Sequence, residues 1–321
     1  MALAYFRQRY GGRVEIDANG KEHQVPLADP MEVEQLHLAL STDGRNWKPL
    51  NGNKPVWQQW LRDPFIRKGP DGLWHLMGTG GHRERKPETR NDGPVCLHAV
   101  SKDLLNWETV EALPLMKGVK NADGRPPRNI WAPEWFFDEA SGDTILLWSS
   151  SFEDAGWKKS KLWYSRTKDW RTFTPAEVLF APPYSVIDGT LVKKDGKYHL
   201  FHKEEEFSPA TGERRAIRVA TADTLEGPYK IHEGPLNKGQ LVPVITEGPS
   251  VMEDTTQKGW LLFYDYCMTN RFGLSSSPDL LDWKIEEKVS FPADARHGSV
   301  FRLEKPEVEK LRAAFPEASS R

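Results

Sequence analysis

One phrase is written five times along this chain, and it limits what the chain can fold into. Its clearest copy is Gly273-Leu274-Ser275-Ser276-Ser277-Pro278-Asp279-Leu280-Leu281-Asp282-Trp283; the others run over residues 40–47, 100–107, 164–170 and, in divergent form, 220–229. Each copy places a short apolar strand before Ser or Thr, then an Asp-led turn, then an aromatic residue that restarts an extended run, which is the pattern of a β-hairpin. The copies recur roughly every sixty residues, a period that belongs to an array of supersecondary units, and strand-rich units of this kind favour a propeller.

The stretches between copies repeat as well. Arg62 to Arg67, a turn at Asp71-Gly72 and the strand Leu73 to Met77 precede the second copy. Trp131 to Phe137, a turn near Ser141-Gly142 and Thr144 to Trp148 precede the third, while Ile187 to Val192, Asp195-Gly196 and Lys197 to His202 precede the fourth. Thr246 to Val251, Lys258-Gly259 and Trp260 to Tyr264 precede the fifth. The last apolar strand, His297 to Leu303, has no hairpin after it, and the first hairpin has no strand pair before it. Joined, they make a fifth blade, so the expectation is an all-β, five-bladed β-propeller over residues 1–321, one domain closed by its two ends, which leaves no open sheet edge. Residues 1–35 read as a turn-rich lead-in without an assigned pairing. Lys305 to Phe315 places Val308, Leu311 and Phe315 at helical spacing behind Pro306, a short helix packed on the outside.

Composition agrees with one large core. Hydrophobic residues make up 38% and aromatics 11%, with 13 Trp suited to packing sheet on sheet. The formal net charge of −2 offers no field to draw in nucleic acid or an anionic membrane, so neutral partners fit better. Cys96 and Cys267 lie in apolar strand-like runs and read as buried free thiols. No apolar run approaches the roughly eighteen residues of a spanning helix, and Met1 to Arg7 lacks a signal-peptide core. The expectation is a cytoplasmic protein, or one exported behind a leader that has been removed.

Around an axis, the first strand of each unit lines the channel, and those strands open with Asp63, Glu134, Asp188, Glu247 and His297, each beside Pro or Gly. Any one of these carboxylates is equally a turn former bonding its own backbone. As a set they meet at one end of a Trp-lined funnel, where crowding of like charge raises the pKa of some of them, as a general acid requires. Two carboxyls flanking a bond, one protonated and one ionised, are the apparatus of glycoside hydrolysis, and aromatic walls suit the apolar faces of sugar rings. Trp131, Trp57 and Trp60 are the candidate walls.

The strand openings Arg-Asp-Pro-Phe-Ile at 62–66, Trp-Ala-Pro-Glu at 131–134, Val-Ile-Asp-Gly-Thr at 186–190, Glu-Gly-Pro-Ser at 247–250 and Ala-Arg-His-Gly-Ser-Val at 295–300 resemble, in order, the five-bladed propellers of glycoside hydrolase family 43 and its clan. The resemblance implies Asp63 as general base on the attacking water, Asp188 as the residue that tunes the acid and holds the sugar, and Glu247 as general acid. It implies inversion, with Asp63 and Glu247 about 6.5 to 9.5 Å apart. It further implies Glu134 as active-site support, His297 facing an axial calcium ion or a water, and Arg271 reaching a sugar hydroxyl or carboxylate. No cofactor is required; calcium wants several oxygens, and no dense acidic loop supplies them, so water and calcium stand level. Gly189 departs from the Pro that many arabinan-cleaving relatives carry after this Asp.

The expected substrate is an oligosaccharide, attacked from its end to release arabinofuranosyl or xylosyl units. A galactoside or another clan sugar on the same fold, and a non-catalytic carbohydrate-binding propeller, are the alternatives. Fructosides rank low, since Arg62-Asp63-Pro64 and Glu247-Gly248 stand where that branch has Asn-Asp-Pro and Glu-Cys. Exo action is expected if the long polar loops over residues 80–94, 117–128 and 204–214 wall the mouth, while the same loops suit a groove for endo action equally well. Oligomeric state is left unassigned.

Overall fold

The computed structural model describes residues 1–8, 14–16, 22–24, 33–80, 94–152, 159–208, 212–234, 239–267, 269 and 271–317. The loops expected over 80–94 and 204–214 therefore fall partly outside the described residues. Among the described residues the chain is mainly β, with a short α-helix at its C-terminal end. None of its helices is long and apolar enough to cross a membrane, among the described residues.

The strands come in the expected groups. β1 (Ala2–Arg7) is followed by a small hairpin, β2 (Val14–Ile16) and β3 (Glu22–Gln24), and then by β4 (Gln35–Leu40) and β5 (Lys48–Pro49). The next group holds β6 (Trp57–Lys68), β7 (Trp74–Gly80), β8 (Cys96–Ser101) and β9 (Glu108–Leu113), and the one after it β10 (Trp131–Asp138), β11 (Asp143–Ser150), β12 (Lys161–Thr167) and β13 (Glu177–Phe180). A third group holds β14 (Ser185–Lys194), β15 (Lys197–Ser208), β16 (Gly212–Arg214), β17 (Ile217–Ala222) and β18 (Lys230–Ile231). Last come β19 (Glu247–Glu253), β20 (Trp260–Asp265), β21 (Phe272–Ser277) and β22 (Lys284–Ile285), then β23 (Ala295–Phe301) and the helix α1 (Lys305–Ala314). Strands β6 to β9, β10 to β13 and β19 to β22 pair antiparallel in sequence order, as do β14, β15, β17 and β18 with β16 set on β15; β2 and β3 pair apart, and β1 pairs β4.

The N- and C-terminal ends share one sheet, in a way the sequence reading did not foresee. The apolar run Ala2 to Phe6, taken for lead-in, is fully buried as β1 and pairs with β23 on one side and β4 on the other. That sheet is also continuous with its neighbour, so the expectation of five separate sheets is corrected. β6 begins at Trp57, early enough for Trp57 and Trp60 to register against Leu36 and Gln35 of β4, and the two groups merge into eight strands.

The repeated phrase builds the same turn four times. Ser41, Ser101, Thr167 and Ser277 each accept the amide three residues on, at Gly44, Leu104, Trp170 and Leu280. In the same turns Asp43, Asp103, Asp169 and Asp279 each accept two later amides. The residue between is left-handed in every case, with φ between 59° at Trp170 and 74° at Leu280. Amides of Thr172 and Arg171 hold the Asp169 carboxyl down at about 2. The divergent fifth copy has Ala222 in place of the hydroxyl and turns differently, through Thr224 Oγ1 donating to Gly227 O.

Five strands, β6, β10, β14, β19 and β23, pack against one another. Each packs beside the next: β6 beside β10, β10 beside β14, β14 beside β19, β19 beside β23, and β23 beside β6. Polar links accompany that packing. Ala132 N donates to Thr79 Oγ1, Gly248 N to Asp188 Oδ2, Val300 N to Ser250 Oγ and Ile66 N to Ser299 Oγ. Between the sheets lie apolar layers, among them one in which Trp74, Leu76, Leu97 and Phe301 receive α1 through Leu311, Val308 and Phe315. The helix is where the Val308, Leu311 and Phe315 spacing puts it, opened by a capping box between Glu304 and Glu307. Burying Leu311 alone contributes about 2 kcal/mol to holding it there.

Candidate active site

Each of these five strands breaks its ladder at the same level. Pairing slips by an extra residue between Arg62 and Phe65, Trp131 and Glu134, Ile187 and Thr190, and Glu247 and Ser250. At these breaks Asp63, Ala132, Asp188 and Gly248 take left-handed φ of 51°, 44°, 54° and 64°. In β23 the slip falls between its pairings to Tyr5 and Phe6 and leaves His297 as the extra residue. A β-bulge bends its strand and re-aims a side chain, and left-handed backbone is strained for anything but Gly, more tolerable for Asp than for Ala. Five such breaks at one level turn side chains from all five strands toward a common point.

The strands therefore do not begin at the candidate residues, as the sequence suggested for most of them. Asp63 lies midway along β6, and Glu134 and Asp188 lie well inside β10 and β14; Glu247 alone opens its strand. Nor are the five equivalent. The left-handed position of β10 is Ala132, so Glu134 sits two residues further along; that of β19 is Gly248, so Glu247 sits one before it.

A pocket of about 220 Å³ occupies this end of the five strands, and Asp63, Asp188, Glu247, His297 and Trp131 all line it. Glu134 is buried beneath, hydrogen-bonded to Thr190. Trp60, Trp57 and Arg271 do not reach the pocket. Trp60 Nε1 donates to Glu34 Oε2, Trp57 packs on Trp107, and Arg271 lies exposed over the Tyr266 ring. A larger cavity of about 530 Å³ opens at the other ends of the same strands, lined by Arg67, Leu191, Met252 and Phe301. None of the five candidate residues lines it, so it is not where the carboxylates act.

The pocket is tightly wired. Asp63 Oδ2 accepts a 2.6 Å hydrogen bond from Thr79 Oγ1, and Asp63 Oδ1 lies 3.5 Å from His297 Nδ1. The same Nδ1 is 3.8 Å from Asp188 Oδ2, which also accepts from Gly248 N. A Cβ on Gly248 would stand 2.6 Å from the His297 ring, so only glycine lets that ring sit there. A Cβ on Gly189 would meet Leu162 at 2.7 Å, so the smallest side chain at this departure from the family pattern suits its own core. Glu247 is held by two cations: Lys203 Nζ donates to Oε2 at 2.7 Å, and Arg296 Nη2 binds Oε1. Lys203 also reaches Glu205 at 2.8 Å, and Arg296 Nε binds the buried Asp265 at 2.7 Å.

These contacts divide the carboxyls. Burial would raise Glu247, but Lys203 and Arg296 overcome it and hold the group well below the usual range. Burial raises Asp265, and ionised Glu247 beside it pushes the same way. Burial brings Asp188 up to about 6 against the pull of His297 and Lys203. Glu134 stands at about 8 through burial, although its bond to Thr190 and the nearby Arg67 act downward. For His297 burial alone would lower the value, yet Asp188 and Asp63 raise it above normal. Among the described residues no group of three or more His, Cys, Asp or Glu is placed to hold a metal ion.

Several residues of this pocket escaped sequence reasoning. Arg296 lay inside a noted motif without a role; Thr79, Lys203, Glu205 and Arg215 carried no local signal. Cys267, read as a core thiol, is buried and lines the pocket beside Lys203.

A family model described as a "Probable glycosyl hydrolase domain", related to glycosyl hydrolase family 43, matches residues 28–309. No curated protein matches the sequence. Among solved structures, the chain is similar to a thermostable family-43 glycoside hydrolase at 16% identity, covering 74% of this chain and 78% of that one with a TM-score of 0.52. It is similar to an endo-1,4-β-xylanase from Bacteroides thetaiotaomicron at 14% identity, covering 92% and 98%, TM-score 0.53. An exo-β-1,3-galactanase from Clostridium thermocellum shares 15% identity over 70% of this chain and 48% of that one, TM-score 0.51.

Proposed function

Since the chain belongs to the family related to glycoside hydrolase family 43, and is a glycoside hydrolase, we propose that residues 1–321 form one five-bladed β-propeller that releases pentose units from oligosaccharide ends with inversion. The cyclic packing of these five strands and the pairing of β1 with both β4 and β23 support the propeller. The observation that carries the chemistry is the single pocket into which bulged strands bring Asp63, Asp188 and Glu247.

In this reading water attacks the anomeric carbon as the glycosidic C–O bond breaks. Asp63, oriented by Thr79 and His297, takes the proton that the water loses, and Glu247 gives a proton to the departing oxygen. Glu247 is ionised while it holds both cations. A sugar that displaces Lys203 from Oε2 raises the proton affinity of Glu247, which takes a proton from water and, once neutral, passes it to the leaving oxygen. Asp188, with its raised affinity for protons, tunes that balance and bonds the sugar. Trp131, half-buried at the pocket wall, offers an apolar face for stacking.

Arabinofuranosides and xylosides are the proposed substrates, and the fold likeness to a xylanase is in keeping with them. The likeness to a galactanase supports a second reading, a galactoside in the same pocket. Asp63→Asn and Glu247→Gln are each expected to lower turnover of an aryl pentoside by about 10² or more. NMR of the first-formed sugar should show the inverted anomer. Equal rates for both variants and the wild type would end the proposal, and a retained anomer would end its inverting mechanism.

A further inference from the structure

We infer that the pocket takes a sugar carrying a carboxylate, a uronic acid unit, and that Arg62 binds it. The inference rests on the hydrolase reading for its location and goes beyond it over the sugar, placing a hexuronic acid where that reading has a pentose.

The argument is one of charge. Four cations line the pocket, Arg62, Lys203, Arg215 and Arg296. Lys203 is neutralised by Glu205 and Glu247, and Arg296 by Glu247 and Asp265. Arg215 turns Nη1 toward Cys267 Sγ, among other contacts. Arg62 differs from the first two. Among the described residues it forms no ion pair, and its Nε is buried with no hydrogen-bond partner. Its guanidinium lies 5.0 Å from the centre of the Phe6 ring, and that of Arg296 lies 6.0 Å from the same ring. One phenyl group thus carries two like charges, one neutralised and one open.

The bulge explains why Arg62 is available. Consecutive side chains of a regular strand face opposite ways, but the left-handed turn at Asp63 lets Arg62 and Asp63 line the same pocket. A part-buried guanidinium with unmet donors is costly, and a planar carboxylate satisfies it through two parallel, charge-assisted bonds. A neutral hydroxyl would accept a bond yet leave the charge uncompensated.

Calorimetric titration with D-glucuronate and D-glucose, which differ at one carbon, tests the inference without using hydrolysis. The wild type should bind the acid about tenfold or more tighter, the scale of one charged hydrogen-bonded contact. Added salt should weaken the acid alone. Arg62→Gln should erase the preference while leaving glucose binding in place, and Arg62→Lys should restore part of it. Equal binding of acid and glucose by the wild type overturns the inference, as does a preference that survives in Arg62→Gln or an absence of acid binding. Glucose 6-sulfate binding more tightly than glucuronate overturns the carboxylate assignment. If Asp63→Asn and Glu247→Gln leave hydrolysis intact while the acid preference holds, the catalytic assignment falls by itself.

Discussion

Lys203 is the residue whose loss should be felt most widely. It is 1% exposed and lies 2.7 Å from Glu247 and 2.8 Å from Glu205. Lys203→Met keeps most of its length and removes its charge, leaving Glu205 and Glu247 without the cation that lies between them. Breaking a buried ion pair from one side costs about 3–5 kcal/mol, which for a domain of this size lowers the melting temperature by on the order of 10 °C. The pH dependence follows from both partners. Glu247 is depressed by folding, so its stabilisation is full above its ordinary 4.5 and is lost as pH falls through its folded value. Lys203 is raised despite burial by Glu247 and Glu205, so its share holds below its ordinary 10.5 and is lost as pH rises through its folded value. The deficit of the variant is therefore complete at pH 7 and narrows on acidification, as the stranded carboxyls take up protons. In catalysis, removing a cation within 4 Å should move the alkaline limb of kcat upward by about 1–3 pH units. Thermal melts from pH 4 to 8 and a pH–rate profile read both effects. A variant as stable as the wild type at pH 7, or a deficit that grows on acidification, refutes the argument.

Two further outcomes follow from the same pocket. Glu134 is buried with its folded value near 8 against an ordinary 4.5, so folding favours its protonated form and wild-type stability falls as pH rises between those values. At about 1.4 kcal/mol per pH unit the span is worth about 5 kcal/mol. Glu134→Gln, which mimics the protonated group, should melt higher than the wild type at pH 9 and match it near pH 4; an unchanged difference across that range counts against a protonated Glu134. Gly248→Ala places a Cβ 2.6 Å from the His297 ring on a backbone with φ of 64°. It should destabilise the protein by about 2 kcal/mol and displace His297, with activity falling well beyond what stability explains; wild-type turnover and melting in this variant would show the ring free to move.

The turn-and-strand grammar was legible because it is local. A hydroxyl and a carboxylate two residues apart collect successive amides, and the same chemistry repeated four times needs no distant partner. The outer helix was legible for the same reason, in the spacing of Val308, Leu311 and Phe315. What escaped was decided far along the chain. Ala2 to Phe6 is an ordinary apolar run, and only the vacancy between β4 and β23, about 35 and 295 residues in, makes it a strand. Trp57 and Trp60 looked like walls of a sugar site because tryptophan serves both purposes. The pairing of β4 with β6 instead places them on a junction between two strand groups.

The candidate site divides along the same line. Asp63 and Asp188 could be picked out because a bulge leaves a residue-type trace: Asp beside Pro or Gly tolerates the left-handed backbone that the bend requires. The direction of their pKa shifts leaves no such trace. Crowding of carboxylates predicts raised values; Asp188 and Glu134 are raised, but chiefly by burial, and Glu247 goes the other way because Lys203 arrives from β15 and Arg296 from β23. Lys203 lies 44 residues from Glu247, and Arg296 lies 49. The charge state of a proton donor is thus set by partners from other strands, and the proposed cycle depends on how a sugar disturbs them. A ligand that parts Lys203 from Glu247 converts a structural ion pair into an acid, so the group that stabilises the empty pocket is also the group whose displacement arms it.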